Sequence, residues 1–286
     1  MQASTLRSVT RGVDDVLDGA GATPDPGLAA VGRRARHAGA LDGLHRRVQD
    51  ANDRLVARGA DAADVLRWAA GTIPRFAATS SFGVDSAVLL HLLSRHAPDT
   101  PVIFLDTGLH FPETLAHRDR LAEQFGLDVI SVTPSLTVED QRRLFASRLS
   151  STDPDTCCML RKDLPLTAAL AAVDGWATGV RRGQTASRAD VPLLSTTVKG
   201  DRTLVKVAPL ATWTPGDVAD YRRTHDLPAH PLEAKGYRSI GCWPCTRPTA
   251  PDEDARAGRW ADSDRTECGI HVDSDGRLVR TDGAAS

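Results

Sequence analysis

No apolar run in this sequence approaches the ~20 residues a helix needs to cross a bilayer. The N-terminus also lacks the apolar core of a secretory signal, because Asp14, Asp15 and Asp18 interrupt it. These two absences predict a cytoplasmic protein in a reducing compartment. Net charge is nearly missing as well, with a formal value of −2 over 286 residues. That balance predicts no nucleic-acid and no membrane partner, so an anion site must come from local clustering of Arg and Lys. Neither a Walker A loop nor a Gly-x-Gly-x-x-Gly fingerprint occurs. No internal repeat or long low-complexity tract is present.

The chain is long enough to bury one large core or two small ones. It has five cysteines, and an odd count in a reducing compartment argues against a disulfide framework. Four of them form two close pairs, Cys157-Cys158 and Cys242-x-x-Cys245, and Cys268 stands alone near the C-terminus.

Residues 1–40 show no sustained period and read as a loosely ordered extension with room for a short helix. Residues 41–251 read as an α/β domain. Helical spacing of Leu41, Leu44, Val48 and Leu55 opens it, and a second helix capped by Asp61 follows. Short apolar strands are expected at Phe76–Thr79, Val102–Leu105, Val129–Val132, Trp176–Val180 and Leu204–Val207. Helices are expected at 87–94, 112–125, 137–149, 162–173 and 215–224. Strands apolar throughout and alternating with helices imply a mostly parallel sheet covered on both faces. Residues 252–286 read as a separate, mobile C-terminal segment.

The turn Ser80-Ser81-Phe82-Gly83-Val84-Asp85-Ser86 lies between a strand and a helix, where backbone N–H groups can cradle an anion. The next strand ends at Asp106-Thr107-Gly108, a position suited to a ribose or adenine contact. The bland readings are an ordinary turn capped by Ser86, and Asp106 as a cap.

C-x-x-C lets two sulfurs approach one metal centre from a tight turn. An adjacent Cys-Cys pair is awkward for a single zinc ion, whereas a [4Fe–4S] cubane offers separate iron corners. Zinc stays open as the alternative. Arg161 and Lys162 place two cations beside the first pair, and Lys162, four residues after Cys158, would share its helix face. Cys268 has Arg265 and His271 nearby to favour its thiolate.

The stretches SSFGVDS, CCMLRK, GVRRGQTASR, YRSIGCWPC, EDARAGRW and ECGIH occur in this order. With them, the sequence resembles the assimilatory adenosine 5′-phosphosulfate reductases of the wider phosphosulfate reductase family. The resemblance implies a Rossmann-like, adenine nucleotide α-hydrolase-like fold. It implies one [4Fe–4S] cluster on Cys157, Cys158, Cys242 and Cys245. The nucleotide would lie along Ser81, Phe82, Gly83 and Asp85, near Asp106 and the loop from Arg181 to Arg188. Lys162, Arg256, Arg259 and His271 would meet the phosphosulfate. Cys268 would be the nucleophile, and reduced thioredoxin, or a glutaredoxin-like donor, the thiol partner. The oligomeric state is left open. Three rivals remain: the 3′-phosphorylated nucleotide as substrate, an ATP-pyrophosphatase of the same superfamily, and a zinc-stabilised nucleotide-binding protein.

Overall fold

A computed structural model describes residues 30–261, with side chains from residue 42 onward. Residues 252–260 sit inside it, while Cys268 and His271 lie outside the described residues. Six strands form one sheet: β1 Phe76–Thr79, β2 Val102–Leu105, β3 Val129–Val132, β4 Gly175–Thr178, β5 Leu194–Lys199 and β6 Arg202–Val207. Their order is β3-β2-β1-β4-β6-β5. All neighbours run parallel except β5 and β6. The chain therefore builds outward from β1 to β3, then returns to β4 on the other side of β1. Strand order reverses at that point, and the crevice above β1 and β4 is where such sheets bind ligands.

The strand sequences fit this burial. Ala78, Phe104 and Ala177 enter one core cluster, while Ala77, Ile103 and Trp176 enter the cluster on the opposite face. That is the two-residue alternation of a pleated strand with both faces covered. On the first face pack α2 Ala62–Thr72 and α3 Ser86–His96, carrying wholly buried Leu66 and Leu90. Each such leucine contributes about 1.5–3 kcal/mol by leaving water. On the second face lies α8 Leu164–Leu170, carrying buried Leu166 and Leu170. Gly175 permits close strand packing, since a Cβ there would stand 2.7 Å from the Val205 carbonyl oxygen.

The other helices are α1 Ala30–Ala57, α4 Pro112–Phe125, α5 Val138–Phe145, α6 Leu149–Thr152, α7 Pro154–Cys158 and α9 Pro215–Thr224. Helix α1 starts at Ala30, inside the stretch expected to be loosely ordered, and its Asn52 side chain accepts from Leu194 N at 3.1 Å. The single helix expected over 137–149 ends early, because Ala146 turns left-handed at φ 49°. Asp153 then caps a new start by accepting from Thr156 N, with Pro154 in the first turn. Met159–Asp163 is a π-helical segment, so the α-helical i+4 pairing expected for Cys158 and Lys162 does not describe it. Strand β5 was not expected. Its sequence is mostly polar, and it joins the sheet edge through the hairpin at Gly200, φ 62°. Among the described residues, no helix is long and apolar enough to cross a membrane.

His117 of α4 and His230 are buried with ring centroids 4.9 Å apart. His230 donates through Nε2 to Thr114 Oγ1 and accepts at Nδ1 from Leu232 N, whereas neither nitrogen of His117 has a hydrogen-bond partner among the described residues. Burial pulls both pKa values down to about 4, joined at His117 by the His230, Arg120 and Arg222 charges. Glu113 and Glu233 oppose this only in part at His230. The unfolded chain binds these protons near pH 6.5 and the folded chain near 4. Stability is thus full above about pH 6.5 and falls as pH drops toward 4, by on the order of 3 kcal/mol per imidazole. Urea midpoints from pH 7.5 to 4.5 should show this slope, and His117→Phe should flatten it and raise stability. An unchanged slope in that variant removes the assignment.

Candidate functional site

Above β1 and β4 opens a cleft of about 270 Å³. Its floor is the turn after β1. Phe82 sits there at φ 50°, a left-handed conformation uncommon for a bulky residue. Two contacts hold it: its N–H donates to Ser80 Oγ at 3.1 Å, and its wholly buried ring meets Phe104 edge-on at 5.5 Å. Phe82, expected along the nucleotide, therefore packs into the core and does not line the cleft. The turn delivers Ser81, Gly83 and Asp85 to the cleft, at the N-terminal end of α3.

Charge in the cleft differs sharply from charge in the whole chain. Lys162, Arg188, Arg238, Arg256 and Arg259 line it, against the single carboxylate of Asp85 among the described residues. This clustering suits a polyanion. Arg256 and Arg259 are held by hydrogen bonds of their own strand of chain: Arg247 N donates to Gly258 O, and Trp260 N to Cys245 O. The Arg259 guanidinium lies over the Trp260 ring at 4.5 Å and against Gly241, where any Cβ would collide with it. Its Nε is buried without a hydrogen-bond partner among the described residues. Arg238 is already spent, binding Thr249 Oγ1 and the carbonyls of Ala250 and Glu253. Glu253 beside them is held by Arg247 in an ion pair of 2.9 Å. The Arg256 backbone N–H does donate to Asp254 Oδ1.

Not every expected residue faces the cleft. Asp106 closes a turn by accepting from Gly108 N at 3.0 Å. Arg181 is buried, with its guanidinium 2.7 Å from Asp85. Arg188 does line the cleft and donates to the Gln184 side chain.

At one end of the cleft are the thiols. Cys157, Cys158 and Cys242 are buried and Cys245 is partly so. The two segments meet: Cys157 and Cys242 share a small apolar cluster with Leu109 and Leu149. The C-x-x-C turn is fixed by Cys245 N donating to Cys242 O, Trp243 N to Leu109 O, and Thr246 Oγ1 to Cys242 O. Burial pushes the Cys157 thiol up, and Cys242 adds to it. Burial likewise raises Cys245, followed by Cys242 and Cys157, with Lys162 and Arg259 opposing. Among the described residues, no three His, Cys, Asp or Glu side chains gather closely enough to hold one metal ion. The donor set is nonetheless all sulfur, buried, drawn from two segments and faced by cations. Such chemistry fits a thiolate-held iron–sulfur group, whose separate irons demand less convergence than one ion.

Sequence reasoning placed Arg161 beside the thiols as a cation and missed its partners. It is 3% exposed and donates to Thr107 O at 2.6 Å, Leu136 O at 3.3 Å and Gln141 Oε1 at 2.8 Å. Thr107 Oγ1 lies 3.4 Å from Cys242 Sγ, and Gln141 Nε2 donates to Cys157 Sγ at 3.9 Å. His110, also missed, lines the cleft and donates from Nε2 to Leu105 O.

A doubly covered, mostly parallel sheet with a basic cleft at its strand reversal is the architecture of the adenine nucleotide α-hydrolase-like class. Residues 75–248 match the phosphoadenosine phosphosulfate reductase domain, and the chain belongs to that family. A relative from Streptomyces coelicolor, named adenosine 5′-phosphosulfate reductase, is 46% identical across 74% of this chain and 89% of its own. One of the same name from Mesorhizobium japonicum is 48% identical across 68% of this chain and 76% of its own. The crystal structure of phosphoadenylyl-sulfate reductase from Candida auris, in a phosphate complex, has a TM-score of 0.60 at 27% identity. It covers 68% of this chain and 94% of that one.

Proposed function

We propose that this protein is an oxidoreductase that converts adenosine 5′-phosphosulfate to sulfite and AMP in sulfate assimilation. The observation that carries the reading is the cationic cleft beside two converging cysteine pairs. The turn at Ser81 and Gly83 holds the 5′-phosphate, with the adenosine over the ends of β1 and β4. Lys162, Arg256, Arg259 and His271 take the sulfonate and bridging oxygens. They neutralise the charge that grows there by charge-assisted hydrogen bonds.

Cys268, on the segment 252–286, attacks the sulfur as a thiolate. The S–O bond to the nucleotide breaks, AMP leaves with the bonding electrons, and Cys268 becomes an S-sulfonate. A reduced thioredoxin, or a glutaredoxin-like protein, then attacks the Cys268 sulfur. Sulfite departs, and the partner's second thiol frees Cys268 as the partner is oxidised to its disulfide. This chemistry belongs in the reducing cytoplasm. Cys157, Cys158, Cys242 and Cys245 would hold a [4Fe–4S] cluster. When bound, it supplies a fixed negative charge that helps to place the neighbouring cations.

The four cysteines favour the unphosphorylated nucleotide over its 3′-phosphorylated form. Turnover of both nucleotides with a thioredoxin system is the test. At least about tenfold higher kcat/KM for adenosine 5′-phosphosulfate is expected, a difference of about 1.4 kcal/mol. Turnover of the 3′-phosphorylated form alone would overturn the substrate assignment, and AMP plus pyrophosphate from ATP would overturn the class.

A further inference from the structure

An acid where a polyanion binds needs an explanation. Asp85 is the one carboxylate among the described residues lining the cleft, and it occupies the N-cap position of α3. An aspartate there ordinarily accepts hydrogen bonds from the first-turn N–H groups. Asp85 makes no such bond. Its Oδ2 instead meets Arg181 at 2.7 Å, and its Oδ1 lies 3.8 Å from Arg222. Both arginines are fixed from behind. Arg222 of α9 is paired with Glu233 at 2.6 Å, and the Arg181 backbone N–H donates to Gln184 Oε1 at 3.1 Å. Arg181 is buried and does not line the cleft, although its partner does.

We propose that Arg181 and Arg222 are positioning residues that neutralise Asp85 and turn its carboxylate away from the anion-binding end of α3. The sign follows from two facts. Helix N-terminal N–H groups attract any anion, so a released Asp85 carboxylate competes with the ligand's phosphate for them. An unneutralised Asp85 also repels that phosphate across a partly dehydrated cleft. Arg181 thus favours nucleotide binding without touching the nucleotide. The arrangement lets the turn keep an acid, tied to α9 and to the loop after β4, that would otherwise oppose the ligand.

The proposal rests on the cleft binding a phosphorylated nucleotide, and a double-mutant cycle separates the two claims. Affinity for AMP and for inorganic phosphate is measured by calorimetry on wild type, R181Q, D85N and the D85N/R181Q double variant, alongside KM and kcat. R181Q should weaken both ligands about tenfold and raise KM by a similar factor, with kcat little changed. D85N should tighten phosphate by about threefold. The double variant should return to within about threefold of wild type, because the residue that Arg181 restrains is gone. A merely structural role for Arg181 predicts no such rescue. A double variant as weak as R181Q overturns the proposal, as does a tenfold loss in D85N. Should R181Q fail to fold, D85N decides alone by the direction of its change. Phosphate binding without AMP binding in wild type would sink the nucleotide reading yet leave the cycle readable on phosphate.

Discussion

Cys268→Ser should bind AMP with unchanged affinity, retain its iron, and form sulfite at least about a thousandfold more slowly than wild type. The size follows from the role. A serine hydroxyl is a far weaker nucleophile, and the thiol donor has no sulfur to attack once the S-sulfonate cannot form. The last described turn packs on the cysteine end of the cleft, through Trp260 N to Cys245 O at 3.0 Å. Cys268 lies eight residues beyond Trp260, a span of at most about 28 Å when extended. Incubating wild type with nucleotide and no thiol donor should add the mass of SO3 to the peptide carrying Cys268. Iron loss in the serine variant would mean the five cysteines were divided wrongly. An adduct on another cysteine would move the nucleophile.

The parallel core was legible because its strands are apolar on both faces. Val102–Leu105 permits few other readings, and its boundaries agree with those observed. Strand β5 was not legible. Leu194–Lys199 is an edge strand with only its first and last residues buried, so its pattern is that of a loop. The breaks at Ala146 and Asp153 were hidden for another reason. They depend on a left-handed alanine and a side-chain cap, neither of which disturbs helical periodicity. At the site, residue types nominated the groups that could carry chemistry, and spacing paired the thiols. Neither could show who faces whom. Asp85 and Arg181 both read as nucleotide contacts, yet they are 96 positions apart and face each other. The π-helical segment had the largest hidden effect. It carries two adjacent cations to different surroundings, Lys162 to the cleft and Arg161 to the interior.

Arg161→Ala is expected to cost about 3–5 kcal/mol of stability. The guanidinium is buried and reaches three separate segments. It binds the Thr107 carbonyl after β2, the Leu136 carbonyl after β3 and the Gln141 side chain of α5. Truncation leaves those acceptors in a dry site, each worth about 1–3 kcal/mol when unpaired. Burial lowers the Arg161 pKa, and the thiols Cys157 and Cys242 act to raise it again. Thus the side chain answers to both cysteine segments, and Thr107 and Gln141 carry its position to the sulfurs. Lysine should rescue little, because one ammonium cannot reproduce a planar fork spread over three acceptors. Urea denaturation of the two variants reads the stability, and their iron content reads the effect on the thiols. Both should fall together. An alanine variant within 1 kcal/mol of wild type, with full iron content, would show that these bonds are made at no net gain over water.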